Sequence, residues 1–233
     1  MNESLFNQLN PPFETVDLRS KLKEFFDLEF LDSHTGKKRS LGSFQWGVYA
    51  FFDYEQEPIY VGQTKEKIST RIRRHLTNQR TDAVAMSVLD PFEVLEIEVW
   101  PLPQFEGVSA SNVEARRHLD ALENLVYREA IHNSKFSAIL NEKEPPVSNT
   151  KVSKPTSKRF QIVSEKVFEI RSHPDFRIAR RALIISKLAQ VISERKVQPG
   201  LRNVLVTQSK RLNWLAEQRH NAMSNHDAEI DDV

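Results

Sequence analysis

The chain has 233 residues and a mass of 27.0 kDa, with 39% hydrophobic and 28% charged residues, which is enough for one large domain or two small ones. No run approaches the roughly 20 apolar residues that span a bilayer, so no membrane association is expected; the absence of cysteine excludes disulfides, Cys-based zinc sites and thiol catalysis. The net charge of +1 hides a division: residues 151–222 carry 16 Lys+Arg against 5 Asp+Glu, residues 1–150 carry 17 against 23, and the last eleven residues add four acids.

The first residues, Met1-Asn2-Glu3-Ser4-Leu5-Phe6, have neither the cationic start nor the apolar core of a secretory signal, and a cytoplasmic location is expected. Residues 1–14 read as a loosely held arm. Leu18, Leu22, Phe25, Phe26 and Leu28 recur at helical spacing, so residues 1–40 are expected to hold an arm and a helix. The Gly-, Ser- and Lys-containing stretch 32–43 reads as a loop. Phe44 to Tyr54 is aromatic and β-rich, Glu55-Gln56-Glu57 is turn material, and Pro58 opens a second short strand that ends at Gly62. The two strands predict an antiparallel hairpin.

Residues 66–79 predict a helix with an apolar stripe of Ile68, Ile72 and Leu76. A third strand is predicted over 92–100, and an amphipathic helix over 111–132. Residues 143–158 hold prolines and small polar residues and read as a linker. Beyond it, three helical patterns run over about 160–171, 175–196 and 200–219, punctuated by His173-Pro174 and Pro199-Gly200. This 159–220 region is basic, and 221–233 is expected to be an acidic disordered tail. The expected fold class is α+β: a small three-stranded antiparallel sheet flanked by helices over 41–142, then a helical basic region.

Gly47-Val48-Tyr49 stands on the first hairpin strand and Tyr60-Val61-Gly62-Gln63-Thr64 on the second. A basic helix with Arg71, Arg73, Arg74 and His75 follows at once. Arg71 and His75, four residues apart, project from one helix face, and an arginine can give a phosphate two parallel hydrogen bonds. Glu123 sits among apolar neighbours in mid-helix, where glutamate is seldom buried without a partner; Asp120 is its closest rival as the site's carboxylate, with Glu114 and Glu129 further off. Each residue has a plainer reading. Tyr49 and Tyr60 fit a core, the arginines a solvated face, and Glu123 an ordinary exposed position. A phenol at its usual pKa of about 10 is a poor base near neutral pH. Gly47 and Gly62 read as structural, relieving crowding where backbone approaches a neighbour.

The Gly-Val-Tyr and Tyr-Val-Gly triplets, with the helix after them, resemble the GIY-YIG nuclease family over about 47–142, with valine for isoleucine in both. The resemblance implies a metal-dependent endonuclease, hydrolysing DNA phosphodiester bonds with one Mg²⁺ (or Mn²⁺), in restriction, defence, repair or mobile DNA; RNA stays open as a substrate. It implies Tyr49 as general base or partner of a metal-bound water, Tyr60 in support, Arg71 on the phosphate, His75 beside it, and Glu123 as metal ligand. Asn141, in Ile139-Leu140-Asn141, matches the asparagine near the family domain's end. Lys65, Arg73, Arg74 and Asn141 are taken as nucleic-acid contacts, and the basic 159–220 region as an electrostatic footprint for DNA. A homodimer or a partner protein is a further expectation. The alternative is a non-catalytic nucleic-acid-binding or interaction module on the same scaffold.

Overall fold

In the computed structural model the described residues are 13–77, 88–194 and 196–231. The arm at 1–12, the end of the helix predicted over 66–79 and the last two residues of the tail lie outside them. Helix α1 (Phe13–Asp27) leads into a two-stranded ribbon, β1 (Glu29–Leu31) and β2 (Lys38–Ser40). The expected loop at 32–43 thus contains a strand. Its turn is closed by the Asp32 carboxylate, which accepts from His34 N and Thr35 N, and by Gly36 at φ 70°, a left-handed position that glycine adopts without strain.

The main sheet is antiparallel and four-stranded, in the order β4-β3-β5-β6: β3 is Gly47–Phe52, β4 Pro58–Thr64, β5 Glu96–Pro101 and β6 Lys158–Gln161. The three expected strands are present; the fourth is a correction. Residues 158–161, read from sequence as the end of the linker and the start of a helix at about 160, instead pair with Glu96–Val99. The proline-bearing linker delivers extended chain to the free edge of β5, and pairing there satisfies its backbone groups. Ile162, directly after it, is fully buried.

β3 lies between β4 and β5 and is buried on both faces. Tyr49 and Phe51 point into one core cluster, with Leu22 and Phe25 of α1 and with Ile68 and Ile72 of α2 (Ile68–Leu76). Val48 and Ala50 point into the other, with Leu119, Leu122 and Val126 of α3 (Val113–Asn133). Alternation of side chains along the strand produces this division. Asn112 caps α3, its side chain accepting from Ala115 N.

After β6 come α4 (Glu165–Arg171), α5 (Pro174–Glu194) and α6 (Pro199–Asp231). The last continues ten residues past 221, where the sequence suggested a tail. Leu188, Ile192, Leu201 and Val204 of α5 and α6 belong to the same core cluster as Tyr49. Part of the basic character of this region is spent inward. Arg177, Arg181 and Arg211 are each 1–2% exposed and surround Asp53, 1% exposed, together with Glu55 and Glu93. Arg180 grips Asp90 through two bonds of 2.7 and 3.0 Å, and Arg171 pairs with Glu14 at 3.2 Å. The charge division read from the sequence is therefore in part an intramolecular one: acids of 1–150 receive Arg171, Arg177, Arg180, Arg181 and Arg211. These arginines are thereby withdrawn from the footprint expected of 159–220, whereas Lys187, Lys196, Arg202 and Lys210 of the same region are exposed.

Candidate active site

The site lies across the exposed edge of the sheet, at β4. Here α2 crosses one face and α3 the other, and a strap of residues 141–146 closes one side. A cleft of ≈ 410 Å³ is lined by Tyr60, Gly62 and Gln63 of β4, Arg71 of α2, Glu123 of α3 and the strap. A second cleft of ≈ 400 Å³, lined by Gln63, Thr64, Lys65, Glu66 and Arg71, adjoins it. Arg71 and Gln63 stand in both.

The two glycines hold the hairpin's geometry. Tyr49 pairs with Gly62 across the ladder, and a Cβ on Gly62 would lie 2.6 Å from the Tyr49 hydroxyl oxygen and 3.0 Å from a ring carbon of Tyr60. A Cβ on Gly47 would lie 2.9 Å from the Trp100 carbonyl oxygen. Neither position has room for a side chain, the close-approach use of glycine within a strand.

Tyr49 is fully buried, and its hydroxyl accepts from Arg71 Nε at 3.3 Å and lies 3.2 Å from His75 Nε2. Burial, reinforced by Tyr60, pushes its pKa well above that of a free phenol despite Arg71. It stays protonated and aims Arg71. Tyr49 and His75 are not among the cleft's lining residues, whereas Tyr60, half-buried, is. The rings of Tyr49, Tyr60 and His75 pack with centroids 5.3–6.3 Å apart. Tyr49, Tyr60, Arg71 and His75 thus form one contiguous group.

Glu123 approaches from the other face. It falls four residues after Leu119, at the border of the apolar stripe of α3, and is 9% exposed. Burial, then the neighbouring Asp120, raises its pKa to about 7, against a hydrogen bond from Gln63 and the charge of Arg71. Gln63 also donates from Nε2 to Asp120 Oδ1 at 2.9 Å, so one amide serves both carboxylates. Gln63 is the functional-site residue that sequence reading did not single out. Its only sequence signal is a polar side chain inside the Tyr-Val-Gly-Gln-Thr run.

The expected nucleic-acid contacts divide. Lys65 is exposed and lines the second cleft. Arg73 lies over the Phe26 ring, 5.1 Å from its centroid, and Arg74 is paired with Glu66; neither lines either cleft. Asn141 uses its amide as a backbone surrogate: Oδ1 accepts from Val61 N at 3.0 Å and Nδ2 donates to Val61 O at 2.7 Å. It closes the β4 edge while itself lining the cleft.

Residues 45–105 match the family model of the GIY-YIG catalytic domain. The match spans both tyrosine triplets and α2, and ends before Glu123 and Asn141. No curated protein and no solved structure matches the chain. Among the described residues, no helix is long and apolar enough to cross a membrane.

Proposed function

We propose that this protein is a metal-dependent endonuclease that hydrolyses phosphodiester bonds in DNA. The convergence of Arg71, Tyr60 and Glu123 on one cleft, from three different elements, carries the reading. The donor set suits a hard divalent cation. Among the described residues no three His, Asp or Glu side chains gather as a cage. Mg²⁺ (or Mn²⁺) accepts one protein carboxylate with water completing its shell, and Glu123 is a carboxylate whose pKa is raised by its burial and then by the neighbouring Asp120. Bound there, the cation would act as a Lewis acid on the phosphodiester and lower the pKa of its water.

The chain's own residues divide the remaining work. Arg71, held by Tyr49 from behind, presents its guanidinium to the phosphate and offsets the negative charge that builds in the transition state. Tyr60 is the phenol that reaches the cleft, placed to hydrogen-bond the attacking water or a phosphate oxygen. Gln63 keeps Glu123 and Asp120 in register. Gly62 lets Tyr49 and Tyr60 approach closely enough to fix Arg71.

The test is cleavage of supercoiled plasmid by the purified protein with Mg²⁺ or Mn²⁺, beside EDTA and Glu123→Ala controls. Metal-dependent nicking that falls by at least about 100-fold in the variant is the expected result. Equal cleavage by Glu123→Ala would sink the site assignment. Salt-sensitive binding without cleavage, on DNA and RNA alike, would replace the proposal with the binding-module reading.

A further inference from the structure

The strap at 141–146 is one whole wall of the cleft, and three contacts hold it. Asn141 is clipped to Val61 as described. Asn124 Nδ2, one residue beyond Glu123, donates to Pro145 O at 3.3 Å. The third comes from the C-terminal helices: the first turn of α6 stands so close to the strap that a Cβ on Gly200 would fall 1.7 Å from the Glu142 carbonyl oxygen and 2.7 Å from its carbon. The obstructing atoms are backbone, so no rotamer change relieves the overlap. Leu140, just before the strap, and Leu201, just after Gly200, are both buried in the same core cluster. The sequence offers Pro199-Gly200 only as helix punctuation; in the fold it is the point where the C-terminal region touches the wall of the cleft.

We propose that Gly200 is a positioning residue for the cleft, its bare Cα letting α6 hold the strap where it shapes the groove that receives the substrate. The inference rests on the nuclease reading above. Any residue with a Cβ at this position would have to push the Glu142 carbonyl aside, which gives glycine here a steric reason. α6 is itself immobilised by Arg211 on Asp53 and by Val204 in the core, so the rigid anchorage of the C-terminal helices is transmitted to the strap at this contact. A substrate wall displaced by an ångström or so is expected to cost substrate engagement before it costs chemistry, because Glu123, Arg71 and Tyr60 sit on α3, α2 and β4 rather than on the strap.

The experiment compares the full-length protein with Gly200→Ala and, separately, with Asn124→Ala, which frees the strap's other anchor without adding bulk. Steady-state plasmid nicking gives kcat and KM, anisotropy of a labelled duplex oligonucleotide in EDTA gives affinity without turnover, and thermal melting reports folding. Misplacement on the order of 1 Å can cost up to about 100-fold; the expected result is a rise of about tenfold in KM and in oligonucleotide Kd for Gly200→Ala, with kcat held within about twofold, and a smaller shift in the same direction for Asn124→Ala. KM and Kd equal to wild type in a folded Gly200→Ala protein overturn the inference while leaving the nuclease reading intact. If Gly200→Ala does not fold, Asn124→Ala decides alone, by the same criterion. A wild-type protein that neither cuts nor binds removes both readings.

Discussion

Two buried carboxylates, one at the hairpin turn and one near Gln63 toward the hairpin's open end, behave in opposite ways. Asp53, on the turn side, has its carboxyl held below the usual range: burial alone would raise it, but Arg211, Arg181 and Arg177 outweigh that, with Glu57 N–H assisting. Glu123, beside the cleft, has its pKa raised to about 7, because burial acts on it with Asp120 adjacent and a single guanidinium, Arg71, in opposition. Burial is common to both; the number of cations supplied by the chain is not. Asp53 is neutralised within the molecule and serves cohesion. Glu123 is left short of positive charge, as a group kept for an external cation would be, and functional sites are where such perturbed groups cluster.

Removing the charge of Asp53 tests the cohesive half most severely. Asp53→Ala leaves three buried guanidiniums with only Glu55 and Glu93, and breaking a buried pair of this kind costs about 3–5 kcal/mol. Urea denaturation should show that loss, comparable with the whole stability of a marginal domain. If Asp53→Ala unfolds within about 1 kcal/mol of wild type, the network is not what holds the C-terminal helices down.

Glu123→Gln tests the other half with the opposite sign. A folded-state pKa raised from 4.5 to about 7 means that the carboxyl's contribution is fully present below pH 4.5 and is lost as pH rises through about 7. The neutral amide avoids that loss. At pH 8 without metal, Glu123→Gln should be more stable than wild type by about 1–3 kcal/mol, and the gain should vanish near pH 4, while cleavage is lost. A variant less stable than wild type at pH 8 would show that Glu123 is paired like Asp53.

Gly62→Ala addresses the support of Arg71. Its methyl must displace Tyr49, and overpacking of this kind costs about 1–3 kcal/mol; cleavage should fall beyond what the melting temperature explains, since Tyr49 positions Arg71. The smallest effect is expected from Arg74→Ala. Its partner Glu66 and its own side chain are both about 40% exposed, so a stability change of about 0–1 kcal/mol is expected, with unaltered cleavage. A large loss of cleavage would return Arg74 to the nucleic-acid contacts predicted from its position.

Residue pattern alone specified the hairpin, the helix after it and the long helix bearing Glu123, because each is written in local periodicity: alternation over 47–52, a four-residue stripe in Ile68, Ile72 and Leu76, and apolar spacing from Leu119 to Ala130. The triplets Gly47-Val48-Tyr49 and Tyr60-Val61-Gly62 located the site because the close approach of two strands and two rings demands glycine at fixed offsets, and their resemblance to the GIY-YIG nuclease family implied its kind. Tertiary structure alone decided the rest. A fourth strand at 158–161 exists only because β5 has an edge to fill. Asn141 became a backbone clip only because Val61 lies opposite. Arg177, Arg181 and Arg211 read as a surface charge in one dimension; in three they meet Asp53, Glu55 and Glu93, residues about 80–160 positions away, and charge pairing at that sequence separation leaves no local signature for periodicity or spacing to reveal.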